Sequence, residues 1–472
     1  MKSSRSRLSA IRPSGQLRDG RNHTVPFAQS PSSLSGFPHT LGLVIAGVLL
    51  VSCSGQSSLP QPRTSQAQQF YRIVNLGGLG GTVNDSGVSI NDRDWVAGAA
   101  NLPGNHHELP SLWRDGKIIN LGTVGGANGG SATVNDSGVV VGAAQSAKRD
   151  PFGEGWAYSL VCKANGGPCR GLQNLLLGFQ WKNGVMKQLP TLGGNNGWAL
   201  SNNNRGEAVG VAETAYRGHC ARPQVLVPEA VVWGPQDGEI RELPPFKGDK
   251  VAIAWGNNDL GDAVGSSGPK CGLSSGDYSA HGVLWRHRGP PIDLGTLGGV
   301  TNNYGNAINN HEQIAGESDL TGDTTAHATI WQNGVLTDLG TLPGDISSSG
   351  NAINDQGQVV GQSCDASGNC RAFIWQDGAM TDLNTLIAPG PIELLYAKGI
   401  SSDGEIVGQG FNKETHRVFG FLAIPSSRTG AFKQSTAETR PRLPSYVRSA
   451  LLDRSLFGRY GIARNDNSRD KP

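Results

Sequence analysis

One eight-residue pattern, an Asn/Asp turn running into an apolar pair and a glycine, recurs seven times in this chain. The copies are NDRDWVAG from Asn91, NDSGVVVG from Asn135, NNRGEAVG from Asn203, NDLGDAVG from Asn258, NNHEQIAG from Asn309, NDQGQVVG from Asn354 and SSDGEIVG from Ser401. Successive copies are 44, 68, 55, 51, 45 and 47 residues apart. A period in this range marks a repeat architecture, and it constrains the fold more tightly than any other feature of the sequence.

Two further landmarks travel with the turn. An apolar stretch ending in Trp appears at Trp113, Trp181, Trp233, Trp285, Trp331 and Trp375, with a divergent seventh copy near Phe421. A D/N-L-G-T-L-G-G element or variant follows at Asn120–Gly122, Leu189–Gly194, Asp293–Gly299 and Asp338–Gly344. Each unit reads as four short strands. In the sixth these are Asn351–Ile353, Gln358–Gly361, Ala372–Trp375 and Met380–Leu386. The Asn-Asp-x-Gly and Asn-Gly or Asp-Gly pairs supply the positive φ angles of tight hairpins. Sixty-eight glycines among 472 residues also disfavour a helical fold. Four antiparallel strands in about 45 residues describe a propeller blade, so the expected class is all-β: a seven-bladed β-propeller over residues 70–425.

The ends of the repeat array support closure. Phe70–Leu76 (FYRIVNL) resembles the fourth strand of a unit but precedes the first turn. The last unit has a third strand, Val418–Ile424, and no fourth. A leading strand that completes the seventh blade removes two open sheet edges at once. An open β-solenoid, the alternative, leaves this complementarity unexplained.

The units resemble the HAF family of probable extracellular repeats. The resemblance rests on Ala280-His281-Gly282-Val283-Leu284-Trp285, on Ala326-His327-Ala328-Thr329-Ile330-Trp331 and on Arg371-Ala372-Phe373-Ile374-Trp375, together with the turn and D-L-G-T-L-G-G elements. It is close from about 290 to 410 and looser from 70 to 290. It implies export and carries no established activity. Among the first four Trp segments only the fourth keeps the His, as His281, which speaks against an essential histidine ligand set.

The front of the chain reads as an address. Leu41–Val51 is an eleven-residue apolar run. As a helix it spans about 16 Å, half a bilayer core, so it fits a signal-peptide segment better than a membrane span. Leu50-Val51-Ser52-Cys53 follows and resembles a bacterial lipobox, which predicts acylation of Cys53. Residues 1–52 are then an N-terminal extension and signal, and 53–69, rich in Ser, Gln and Pro, a flexible tether. Residues 426–472 form a basic tail read as disordered. The net charge of +2 divides into +5 on residues 1–52, +6 on 426–472 and −9 on the body. A mildly acidic body argues against a nucleic-acid partner.

Six cysteines besides Cys53 fall between the second and third strands of their units. The expected disulfides are Cys162–Cys169, Cys220–Cys271 and Cys364–Cys370, in keeping with an oxidising compartment. Their spacings lack the tight pairs and His partners of zinc sites. The second-to-third-strand and blade-to-blade connections carry all the length variation, including an insertion from about Gln145 to Leu177, and emerge on one face. We call this the loop face; the short Asn turns lie on the opposite turn face.

No nucleophile elbow, zinc-protease helix or phosphate loop is present. The Trp residues of the third strands read as inter-blade core. Trp156, Trp198 and Tyr304 are the candidate ligand-stacking rings, and Asp85, Glu154 and Asp345 the candidate carboxylates. The sequence alone thus points to an exported, lipid-anchored, monomeric repeat protein. No cofactor or metal is expected. Its expected role is non-catalytic: a binding or scaffold module for an envelope protein or glycan. The alternative is a polysaccharide hydrolase or lyase using loop-face carboxylates.

Overall fold

Each Asn turn closes a β-hairpin, and two such hairpins in succession make one sheet. The structure is a computed structural model that describes residues 69–82, 86–154, 156, 174–220, 224–269 and 279–426. Those residues form seven four-stranded antiparallel sheets. Blade 1 consists of Ser86–Ile90, Val96–Asn101, Glu108–Arg114 and Lys117–Asn120; blade 2 of Gly125–Val134, Val140–Arg149, Asn174–Lys182 and Val185–Gln188. Blade 3 runs through Gly193–Asn202, Ala208–Arg217, Leu226–Trp233 and Ile240–Leu243, and blade 4 through Val251–Asn257, Ala263–Gly268, His281–Trp285 and Pro291–Asp293. Blade 5 takes Gly298–Ile308, Ile314–Leu320, Ala326–Gln332 and Val335–Gly340. Blade 6 takes Ser347–Ile353, Val359–Cys364, Cys370–Gln376 and Ala379–Asp382. The first strand of each blade touches the first strands of both neighbours, so these inner strands close a ring. The expected seven-bladed propeller is what forms.

Blade 7 contains Ile392–Ile400, Ile406–Asn412 and Arg417–Ser426, and its outer strand is the leading segment Phe70–Asn75. Phe70 pairs with Ser426 and Asn75 with Phe421, antiparallel. Closure by the N-terminal strand is therefore as the sequence predicts. In blade 6 the fourth strand is shorter than expected. It ends at Asp382, whose side chain caps a 3₁₀ turn, Leu383–Leu386, by accepting from the Asn384 N–H.

The core is divided among the blade interfaces. Ala97, Leu112 and Leu121 of blade 1 pack on Val134, Val140, Phe179 and Trp181 of blade 2. Leu112 and Phe179 are wholly buried, each worth roughly 1.5–3 kcal/mol. The third-strand tryptophans belong to these interfaces: Trp113, Trp181, Trp233, Trp285 and Trp331 are buried. Their indoles also hold the loop leading into the blade. Trp233 Nε1 donates to Pro190 O and Trp285 Nε1 to Pro244 O, both at 2.8 Å.

The glycine that ends each repeat is required by close approach. A bulge between Gly350 and Ala352 pushes the inner-strand carbonyl of Ser349 across the second strand. A Cβ on Gly361 would lie 1.9 Å from that oxygen. Gly316 meets Tyr304 O at the same distance.

The Asn turns join the blades as well as closing the hairpins. Asn309 Oδ1 accepts from the N–H groups of His311 and Gln313, while its Nδ2 donates to Asn354 O in the next blade at 2.9 Å. Equivalent amide links run from Asn91 to Asn135, Asn135 to Asn203, Asn203 to Asn258, Asn258 to Asn309 and Asn354 to Ser401. A second chain lies one residue further on, where Asp92 N–H donates to Asp136, Asp136 to Asn204, Asn204 to Asp259, Asp259 to Asn310 and Asn310 to Asp355. Ser401 has no amide to pass on, and the seam between blades 7 and 1 is spanned instead by Ser402 N–H donating to Asp92 Oδ1 at 3.0 Å.

Candidate functional site

The strand directions place the variable connections on the loop face, and the candidate side chains separate there into enclosed and exposed sets. Trp156 is only 6% exposed. It joins Leu176, Leu200, Val211, Ile253 and Trp255 in one apolar cluster, and its Nε1 donates to Gln224 Oε1. The exposure expected of this ring is therefore corrected: the insertion folds it inward, where it covers the tops of blades 2 to 4. Trp198 and Tyr304 are half-buried against the same cluster. Tyr304 stands edge-on to Trp255, and its hydroxyl receives Ser279 Oγ and donates to Asn302. The three predicted aromatics thus come together, as packing more than as an open platform.

Glu154 is buried, and its Oε1 accepts from the N–H groups of Val225 and Leu226 at 2.8 and 2.6 Å. The group sequence reasoning missed is Glu213, wholly buried on the second strand of blade 3 and within hydrogen-bonding reach of Glu154. Gln224 Nε2 donates to both carboxyls. Glu213 Oε2 accepts the N–H groups of Asn195 and Asn196. Burial, then the charge of Glu154, raise the Glu213 carboxyl well above the ordinary carboxylate range, against the lowering effect of those donors.

The repeat shows what Glu213 does. Blades 2 and 5 carry Gln145 and Asp319 at the same strand position. Gln145 accepts from Asn128, and Asp319 from Thr301 and Asn302, each tying down the irregular first part of its inner strand. Glu213 performs this tie for blade 3, and Glu154 adds the blade 2 insertion to it. Through these contacts the pair ties the blade 2 connection to blade 3.

Asp345 is likewise committed. Its side chain is inaccessible and pairs with Arg371 Nη2 at 2.8 Å, while Arg371 Nη1 meets Asp382 at 2.8 Å. The position four residues before the third-strand Trp holds His281, His327 and Arg371 in blades 4, 5 and 6, each facing an acid. His281 Nδ1 lies 2.9 Å from Asp249, and His327 Nδ1 3.0 Å from Asp338. Ser267, Asp249 and His281 superficially suggest a catalytic triad, but Ser267 Oγ donates to Asp249 while accepting the Phe246 N–H. Arg371 fills the same slot in blade 6, so these histidines read as structural ties.

Cys364 and Cys370 form a disulfide. Cys220 is described and half-buried, with Sγ 3.9 Å from Leu226 O. Cys53, Cys162, Cys169, Cys271 and Asp85 lie outside the described residues. Among the described residues no group of three or more His, Cys, Asp or Glu side chains is arranged to hold a metal ion, and no helix is long and apolar enough to cross a membrane.

The loop face also exposes large apolar groups. Tyr216, at the end of the second strand of blade 3, is 77% exposed. Phe152, on the blade 2 connection, is partly exposed, its ring 4.6 Å from the guanidinium of Arg217, the residue after Tyr216. Val300 and Ile346 stand open where the inner strands of blades 5 and 6 begin.

No protein-family model and no curated protein matches the chain. Solved structures do. Virginiamycin B lyase from Staphylococcus aureus is 13% identical with a TM-score of 0.43, covering 76% of this chain and 100% of its own. The β-propeller domain of the Trilobed protease from Pyrococcus furiosus is 13% identical with a TM-score of 0.39, covering 64% of this chain and 84% of its own. XC5397, a gluconolactonase from Xanthomonas campestris, is 10% identical with a TM-score of 0.34, covering 75% of this chain and 90% of its own. Likenesses this distant say nothing of what this chain acts on.

Proposed function

We propose that this chain is an exported repeat protein of the HAF type, acylated at Cys53, whose propeller is a non-catalytic module that binds an envelope glycan or protein on its loop face. The observation that carries this reading is a contrast on that face. Glu154, Glu213 and Asp345 are enclosed and held by protein donors, whereas Tyr216, Phe152 under Arg217, Val300 and Ile346 are displayed. Rings and a guanidinium at blade ends suit stacking on sugars or docking of a protein surface. The Cys364–Cys370 disulfide fits an oxidising compartment.

One observation favours a second reading, polysaccharide hydrolysis or elimination: Glu154 and Glu213 lie within hydrogen-bonding reach of each other, and the Glu213 carboxyl is raised. The two readings separate in one experiment. Immobilised protein is challenged with purified envelope and extracellular polysaccharides, and both retention and polymer mass are recorded. The binding reading expects retention without shortening, weakened roughly tenfold by Tyr216→Ala, about 1.4 kcal/mol. Shortened or unsaturated products would replace it with the enzymatic reading. Neither retention nor shortening would point to a protein ligand, sought next by pull-down from the envelope. The anchor is tested separately: Cys53→Ser should abolish incorporation of labelled palmitate and partition into detergent.

A further inference from the structure

The turn face carries a cleft that the reading above does not use. It lies between blades 2 and 3 and encloses about 450 Å³, within the range of small-molecule sites. Its origin is one hairpin. Blades 1, 2, 5 and 6 join their third and outer strands through tight turns at Asp115-Gly116, Asn183-Gly184, Asn333-Gly334 and Asp377-Gly378. Blade 3 uses the longer Gly234–Glu239 segment, which lines the cleft together with the outer edge of blade 2. Val139, Val141, Leu189 and Trp233 contribute an apolar floor.

Three acids and three cations line that floor. The acids are each matched: Asp237 by Lys187 at 2.9 Å, Glu239 by Arg241 at 3.1 Å, and the buried Glu207 by Arg288. Arg205 is anchored at the blade 4 turn, its Nη1 donating to Leu260 O at 3.0 Å, and lies 3.9 Å from Glu207. Lys182 has no acidic partner among the described residues and so faces a cleft whose acids are already neutralised. The Lys187–Asp237 pair connects the outer strand of blade 2 to the long hairpin of blade 3.

We propose that this cleft is a binding site for a small organic anion with an apolar body, such as an aromatic carboxylate. The apolar part lies on Val139, Val141, Leu189 and Trp233, and the carboxylate faces Lys182. The cleft is on the opposite face from Tyr216 and Phe152, so the site stands or falls independently of the loop-face reading.

The probe is 2-naphthoate, with the neutral 2-naphthamide as its uncharged counterpart, titrated against the full chain by saturation-transfer NMR. Naphthoate should bind and the amide should bind at least about tenfold more weakly. Lys182→Glu should weaken naphthoate by about tenfold or more, while Lys182→Arg stays within about threefold of wild type. Asp237→Asn, which frees Lys187, should tighten it severalfold. Rising salt should weaken all of these interactions. Equal binding of acid and amide, indifference to Lys182→Glu, or no binding of naphthoate would each overturn the proposal. Lys182 is an exposed surface side chain, so its replacement does not endanger folding.

Discussion

The asparagine that begins each repeat uses every hydrogen-bonding capacity it has. Asn309 is 4% exposed; its oxygen takes two backbone N–H groups of its own turn, and its amide gives one proton to Gln313 Oε1 and one to Asn354 O of the next blade. Aspartate preserves the turn but cannot donate, and it would press a negative charge against a carbonyl oxygen. Asn309→Asp should therefore cost about 1–3 kcal/mol in urea unfolding. Asn309→Ser, which imitates Ser401, should cost less than the aspartate. Equal stability of wild type and Asn309→Asp would show that the inter-blade bond contributes nothing. The turn was legible in the sequence because the N–H donors to its asparagine oxygen lie two and four residues away. The inter-blade bond was not, because its partner sits 45 residues on and becomes a neighbour only once the ring is known. Glu213 was hidden for the same reason: nothing in its own strand shows that Glu154 will arrive from the preceding blade.

At the level of a single blade, the repeat exposes an exception. Blades 4, 5 and 6 place His281, His327 and Arg371 opposite acids on the lead-in loop or outer strand. Blade 3 places Glu229 at that position, 8% exposed, with Glu242 on its outer strand in place of Asp338 or Asp382. Glu229 Oε2 has no hydrogen-bond partner among the described residues. Burial, and then the charge of Glu242, push the Glu229 carboxyl up from 4.5 to about 8. A raised acid binds its proton more tightly in the folded state, so its contribution is complete below about pH 4.5 and is lost as pH rises through about 8. Between those limits, blade 3 should weaken as the solution is made more alkaline. Glu229→Gln should reduce the loss of stability between pH 5.5 and 8.5, leaving the share due to Glu213, whose carboxyl is shifted the same way. An unchanged pH slope in Glu229→Gln would mean that the carboxyl is ionised in the fold. The sequence displayed His281 and His327 as a motif, yet their meaning comes from the acids facing them, on strands and loops the motif does not contain.

The seven described blades form a ring with a seam. Strand count and order in the sequence predicted where it closes, since a surplus strand at one end and a deficit at the other leave only one pairing. The chemistry of that closure was not predictable, because it depends on how blade 7 meets blade 1. The amide links that join the other blades stop at Ser401, so the seam relies on the Ser402–Asp92 bond, on the strand Phe70–Asn75, and on Glu405 meeting Asp94. Burial, then Asp94 and Asp403, raise the Glu405 carboxyl from 4.5 to about 7, while Arg72 on the closing strand lowers it in opposition. The proton held by Glu405 removes a like-charge repulsion across the seam. Losing it as pH rises through about 7 should loosen blade 7 against blade 1, whereas blade 5, joined to its neighbours by Asn amides, should feel no such change. Hydrogen exchange, corrected for its intrinsic base catalysis, reads this directly. Amides of Phe70–Asn75 and Ile406–Asn412 should lose protection between pH 6 and 8.5, while those of Ile314–Leu320 in blade 5 should hold theirs. In Glu405→Gln the seam should stay protected at both pH values. If protection at the seam and in blade 5 falls equally in the wild type, or if Glu405→Gln changes nothing, the closing strand alone carries the junction and the carboxyl pair is incidental to it.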